Sequence, residues 1–296
     1  MNASKARVLL YGGVFSGAND DGDFHMEFFL HAQGIPYRRV TDRDMAEMQF
    51  TPEYRLFLLP AGHYFGPVPE WAFGGESARA RLRSAVADGM NYLGICSGAL
   101  IATPVCAYPS AISLHLTDAI PRWKGHTGTG VQFFTVRLSR RLARLAGVRG
   151  AHARVWYHNG PVLKRYHRPL YRSLATFEPT PEERAQTREV HLFRKHLRGA
   201  AAIAEAKHGR GQVVMCSPHF EFGDGGLHDY VTRLRGWVAK ECPDRLEGDR
   251  LAPGRPGRQA FFDSLGGAWM EPVRASTNWR ILTALVRDLC GSSDTL

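Results

Sequence analysis

Cysteine, histidine and glutamate fall in this chain at spacings that suit nucleophilic attack on a carbonyl carbon. Cys96 stands in Gly94-Ile95-Cys96-Ser97-Gly98-Ala99, of the form G-x-C-x-G. In a G-x-S-x-G elbow the nucleophile rides a sharp strand-to-helix turn. The flanking glycines leave room for that turn and for close chain approach. Sulfur replaces oxygen here. A helix starting near Ser97 would set its positive end beside Cys96 and favour the thiolate. Taken alone, the motif also fits a buried structural cysteine near a turn.

The second group is Ser217-Pro218-His219-Phe220-Glu221, after the apolar run Val213–Cys216. In extended chain, residues two apart face the same side. Glu221 can then hold one ring nitrogen of His219 while the other reaches a thiol, the base-plus-orienter arrangement of triad chemistry. A third group, Pro60-Ala61-Gly62-His63, follows another apolar run. Backbone N–H groups near Gly62 and His63, with that of Ser97, could cradle a developing oxyanion. An ordinary strand-to-helix turn is the competing reading. Tyr157, Asn159 and Gly160 are candidates to line a substrate pocket, or else form a tight turn.

These groups need a scaffold that brings strand ends together. Short candidate strands at Val8–Tyr11, Tyr37–Val40, Leu56–Leu59 and Tyr92–Ile95 alternate with helical patterns at Phe24–Gln33, Ser77–Ala87 and Gly98–Thr103. That alternation implies βαβ units and a parallel sheet covered on both faces. Sites on such open sheets lie at the carboxyl ends of the strands, where all three groups fall. Later strands are expected at Val131–Val136, Arg154–Tyr157 and Ser173–Phe177. Ala200–His208 and Gln212–Cys216 read as a strand pair around Gly209-Arg210-Gly211. Helices are expected at Asp229–Ala239 and Asn278–Leu289, and a loop at Gly248–Gln259. Glu27, on the first helix, is expected to be solvated. Trp269, Trp279 and Phe261–Phe262 fit either core or a surface patch for a partner. The fold class is α/β, an open and mostly parallel flavodoxin-like sheet flanked by helices, with insertions in the second half. The whole chain, 1–296, reads as one domain, with a core of about 7–240 and a C-terminal extension from 241 to 296.

The bulk composition fits this. At 44% hydrophobic and 22% charged residues the chain reads as an ordinary globular protein. It has no run of about 18 or more apolar residues and no signal-peptide pattern, so a soluble, cytoplasmic protein is expected. The five cysteines have wide spacings and no CxxC, which argues against a disulfide framework or a zinc knuckle. No metal site is expected. His191 and His196 are wrongly spaced for one helical face, His152 and His158 lack nearby cysteines, and there is no HExxH. The net charge of +10 is densest from Arg137 to Arg154, which reads as a solvated helix face with no nucleic-acid motif.

Taken together, the Cys96 elbow, Pro60-Ala61-Gly62 and Ser217-Pro218-His219-Phe220-Glu221 resemble the class I glutamine amidotransferase-like superfamily. Tyr11-Gly12-Gly13, Asn91-Tyr92-Leu93-Gly94 and Tyr157-His158-Asn159-Gly160-Pro161 are similar to the amidotransferase-like N-terminal domain of some biotin–protein ligases. The likeness spans roughly Arg7 to Ala239. It implies a Cys–His–Glu triad at Cys96, His219 and Glu221, an oxyanion loop near Gly62, and no organic or metal cofactor. Glutaminases of the superfamily often carry a glutamine two residues after the second elbow glycine, where this chain has Leu100. No ammonia-accepting synthase domain and no biotin-ligase catalytic domain is visible. The leading expectation is a cysteine-dependent amidase or hydrolase that cleaves a small amide or carboxylate substrate through a thioester. Two others stand beside it: a non-catalytic ligand-binding or regulatory module on the same fold, and an anion or nucleic-acid binder.

Overall fold

A computed structural model of the chain describes residues 6–14, 22–61, 69–104, 112–118, 131–158, 160–163, 171–186, 197–223, 240 and 276–291. Along the sequence run β1 (Val8–Tyr11), α1 (Gly22–Ala32), β2 (Tyr37–Val40), α2 (Asp42–Glu47), β3 (Leu56–Leu59), α3 (Gly75–Ala87), β4 (Asn91–Ile95) and α4 (Ser97–Ile101). Then follow β5 (Val131–Leu138), α5 (Arg140–Leu145), β6 (His152–His158), β7 (Arg172–Phe177), α6 (Pro181–Gln186), β8 (Ala201–His208), β9 (Gly211–Cys216) and α7 (Thr277–Leu289). The helix expected at Asp229–Ala239 and the loop at Gly248–Gln259 lie outside the described residues.

The strands form a single nine-stranded sheet in the order β2-β1-β3-β4-β9-β8-β7-β5-β6. It is parallel from β2 through β9 and antiparallel from there to β6. The sheet is therefore mixed, and its parallel character stops at the β8–β9 hairpin. That hairpin turns at Gly209-Arg210, as the glycines imply. Gly209 has a φ of 56°, and a Cβ there would lie 2.4 Å from the Ala87 carbonyl oxygen.

The inner parallel strands are largely apolar because both faces are covered, whereas the edge strand β2 carries Arg38 and Arg39. Val8 and Leu10 of β1, Leu56 and Leu58 of β3, Leu93 and Ile95 of β4, and Val214 and Cys216 of β9 pack on one side with residues of α1, α5 and α7. Their alternates, among them Leu9, Phe57, Tyr92, Val213 and Met215, pack on the other side with α2, α3 and α4. The α2 helix, which the apolar pattern does not announce, is set by a capping box between Thr41 and Asp44.

Glu27 is not solvated. α1 is buried along most of its length, and Glu27 is only 4% exposed. The arginines of the Arg137–Arg154 stretch are exposed, as expected of a solvated face. Arg141 pairs with Glu205 and Asp288, Arg137 pairs with Glu178, and Arg154 lies over the Phe133 ring.

Candidate active site

The parallel half delivers two strand ends side by side. β4 and β9 are neighbours, with Ile95 opposite Cys216, so Cys96 and the Ser217–Glu221 segment leave the sheet at the same carboxyl edge. The Cys96 N–H donates to the Cys216 carbonyl at 2.7 Å, which continues the ladder by one bond. There the chain turns sharply. Cys96 has φ 51° and ψ −109°, a conformation that L-residues rarely adopt. The flanking glycines are needed for packing. A Cβ on Gly94 would sit 2.5 Å from the Gly98 carbonyl, and one on Gly98 would sit 2.3 Å from the Leu59 carbonyl. The elbow is thus pressed against the end of β3, which runs on into Pro60 and Ala61. Tyr92 locks it from beneath by donating its hydroxyl to the Gly98 carbonyl at 2.7 Å.

α4 spans only Ser97–Ile101, shorter than the helix expected from Gly98 to Thr103. So short a helix offers little macrodipole, and His219 is the stronger counter-charge for the Cys96 sulfur.

His219 is held on every side. Its N–H donates to the Trp156 carbonyl at 2.7 Å, forming an isolated antiparallel bridge. Trp156 belongs to β6, the last strand in the sheet order, so the antiparallel half curls back over the edge that carries the elbow. The His219 ring stacks on Phe222 with centroids 4.9 Å apart, and Phe222 meets the edge of His25. Nδ1 of His219 lies 2.7 Å from Glu221 Oε1. Nε2 is buried and has no conventional hydrogen-bond partner. The Cys96 sulfur acts on the ring both by charge and as a weak hydrogen-bond partner.

Glu221 is 1% exposed, and its second oxygen, Oε2, has no hydrogen-bond partner. His219 therefore carries most of the compensation for this buried carboxylate. Burial resists charge on the His219 ring, but Glu221, then Cys96, and the hydrogen bonds to both outweigh it. The imidazole holds its proton well above the ordinary 6.5. Cys216 sits beneath, its thiol pushed up by burial and by the Glu221 charge.

The structure thus brings together Cys96, His219 and Glu221. Ser97 adjoins them, while Gly62, His63 and Asn159 lie outside the described residues. Tyr157 is a core side chain, 1% exposed, whose hydroxyl donates to the Gly160 carbonyl at 2.8 Å. Gly160 packs so tightly on the segment leading to His219 that a Cβ would lie 2.0 Å from the Ser217 carbonyl. Both therefore support the loop beneath the site. Sequence reasoning missed the grip of α7. Trp279 Nε1 donates to the Glu221 carbonyl at 2.7 Å, and Asn278 Nδ2 donates to the carbonyls of Gly223 at 2.6 Å and Arg154 at 2.8 Å. No local pattern signals such contacts. A tryptophan early in a strongly amphipathic terminal helix was the one available cue. Among the described residues, no group of His, Cys, Asp and Glu could hold a metal ion.

A glutamine amidotransferase from Thermotoga maritima superposes on 97% of this chain and 99% of its own, with a TM-score of 0.52 at 15% identity. The fold is class I glutamine amidotransferase-like. At that identity the likeness is one of fold. A carbohydrate deacetylase matches 79% of this chain and 32% of its own, at 13% identity and a TM-score of 0.47, too low to carry an argument. No protein-family model and no curated protein matches the sequence. No helix among the described residues is long and apolar enough to cross a membrane.

Proposed function

We propose that this protein is a cysteine-nucleophile amidase or related acyl hydrolase, acting on a C–N bond of a small amide or carboxylate-bearing substrate. One observation carries the reading: a buried carboxylate–imidazole pair beside a half-buried cysteine on a strained elbow. His219 holds the proton of Cys96 as an imidazolium beside the thiolate, and the sulfur attacks the carbonyl carbon. The N–H of Ser97, with those of Gly62 and His63, receives the negative oxygen. His219 then gives its proton to the leaving nitrogen, the C–N bond breaks, and a thioester remains on Cys96. Water, deprotonated by His219, attacks the thioester, releasing the acid and restoring the thiolate–imidazolium pair. Glu221 fixes the tautomer of His219 and supports its charge. The residues themselves supply the chemistry, without a metal or organic cofactor. Leu100, where many glutaminases carry glutamine, argues for a substrate other than free glutamine. The motif likeness to the accessory domain of biotin–protein ligases belongs to the same proposal, as does action in the cytoplasm.

Alkylation of Cys96 by iodoacetamide against pH, followed by mass spectrometry in wild type and His219→Ala, tests this. Cys216 and Cys290 serve as internal controls, since burial pushes the Cys290 thiol up to about 11 and Cys216 higher still. Wild-type Cys96 should react much faster than both controls at neutral pH, and the variant should lose that advantage. A Cys96 that reacts no faster than the two controls sinks the proposal. A reactive Cys96 with no turnover on a panel of amides and esters would favour the non-catalytic binding module.

A further inference from the structure

Trp279 and Asn278 both end on the backbone that carries Glu221. Trp279 donates to the carbonyl of Glu221 itself. Asn278, with no exposed surface, ties Gly223 on one side to Arg154 on the other, and Arg154 is two residues from Trp156, the backbone partner of His219. The Trp279 ring is itself fixed edge-on between Phe28 and Phe29 of α1, each 5.7 Å away. α7 is anchored below by Ile281, Leu282, Leu285, Val286 and Leu289 in the core it shares with β1, β3 and β4. Its far end is tied as well, because Asn91 of β4 donates to the Leu289 carbonyl. A helix distant in sequence thus connects the nucleophile's strand to the loop that orients the base.

We propose that Trp279 and Asn278 are positioning residues for the His219–Glu221 pair, so that the docked α7 sets the distance from carboxylate to imidazole and thereby the reactivity of Cys96. This rests on the triad reading above. The segment from Phe220 to Gly223 has only one internal backbone bond, from Gly223 N–H to the Phe220 carbonyl at 3.3 Å. A displacement of about 1 Å at such a site can cost on the order of 100-fold in rate.

Trp279→Phe keeps a ring between Phe28 and Phe29 and removes only the donor, so the fold should survive. Asn278→Ala removes the other clamp and serves as a second variant. For each, thermal melting checks the fold, the pH profile of Cys96 alkylation reads the site, and imidazole nitrogen shifts read the His219 titration. Both variants should melt as folded proteins and show the His219 titration moved toward 6.5. Cys96 alkylation at neutral pH should fall by about tenfold or more. Folded variants with wild-type profiles overturn the proposal and leave the triad reading standing. A wild type whose Cys96 behaves as an ordinary thiol overturns both.

Discussion

A carboxylate that is 1% exposed, with one oxygen on an imidazole and the other unpartnered, is a costly group to bury. Its cost is offset mainly by keeping His219 charged. Glu221→Gln retains an acceptor for Nδ1 but removes the charge. The His219 pKa should fall, and turnover should drop by roughly 10²–10⁴-fold, the usual scale of general acid–base assistance. The sign for stability follows from the raised His219 pKa. The pair's contribution is fully present below about 6.5, the unfolded value, and is lost as pH rises through the folded value. Urea titrations of wild type and Glu221→Gln should therefore show a stability gap that is widest in mild acid and narrows in alkali. Cys96 carries a different burden, since its φ of 51° stores strain of about 1–3 kcal/mol. Cys96→Gly relieves it, offset in part by glycine's greater unfolded entropy. That variant should melt higher than Cys96→Ala, by about 1 kcal/mol, while neither reacts with iodoacetamide.

At the level of elements, the elbow and the hairpin are what the sequence made plain. Tyr92–Ile95 is an apolar run with Gly94 inside it and Gly98 three residues past its end, and Gly209-Arg210-Gly211 separates two runs of strand length. Local chemistry dictates both. Gly98→Ala puts a methyl 2.3 Å from the Leu59 carbonyl oxygen, a backbone atom that cannot swing aside. The cost should reach or exceed the about 1–3 kcal/mol of ordinary overpacking. Denaturant midpoints and Cys96 alkylation should both fall, because the elbow must open to admit the methyl. Elements set by few residues were harder to read. α2 depends on its Thr41–Asp44 capping box. The burial of Glu27 comes from packing around α1, which a one-dimensional pattern of apolar residues does not register.

Across the whole molecule, the contacts least legible in the sequence are those of greatest separation. Trp279 reaches Glu221 and Asn91 reaches Leu289 through backbone carbonyls, which leave no residue-type signature on the accepting side. The return of β6 to His219 is equally silent, because strand order, unlike strand existence, is not written in local periodicity. The sheet order has one more effect, on the timing of synthesis. β9 is the last of the described strands to be made, yet it lies between β4 and β8. As the chain leaves the ribosome at roughly 5–20 residues per second, β4 waits on the order of 10 s with its pairing edge open. An open edge of this kind invites other chains. A fragment ending at residue 200 should therefore aggregate when expressed, and its Cys96, lacking His219, should alkylate like an ordinary thiol. The growing protein is thus most vulnerable just before it can become reactive, and its sulfur stays idle until the late strand arrives to arm it.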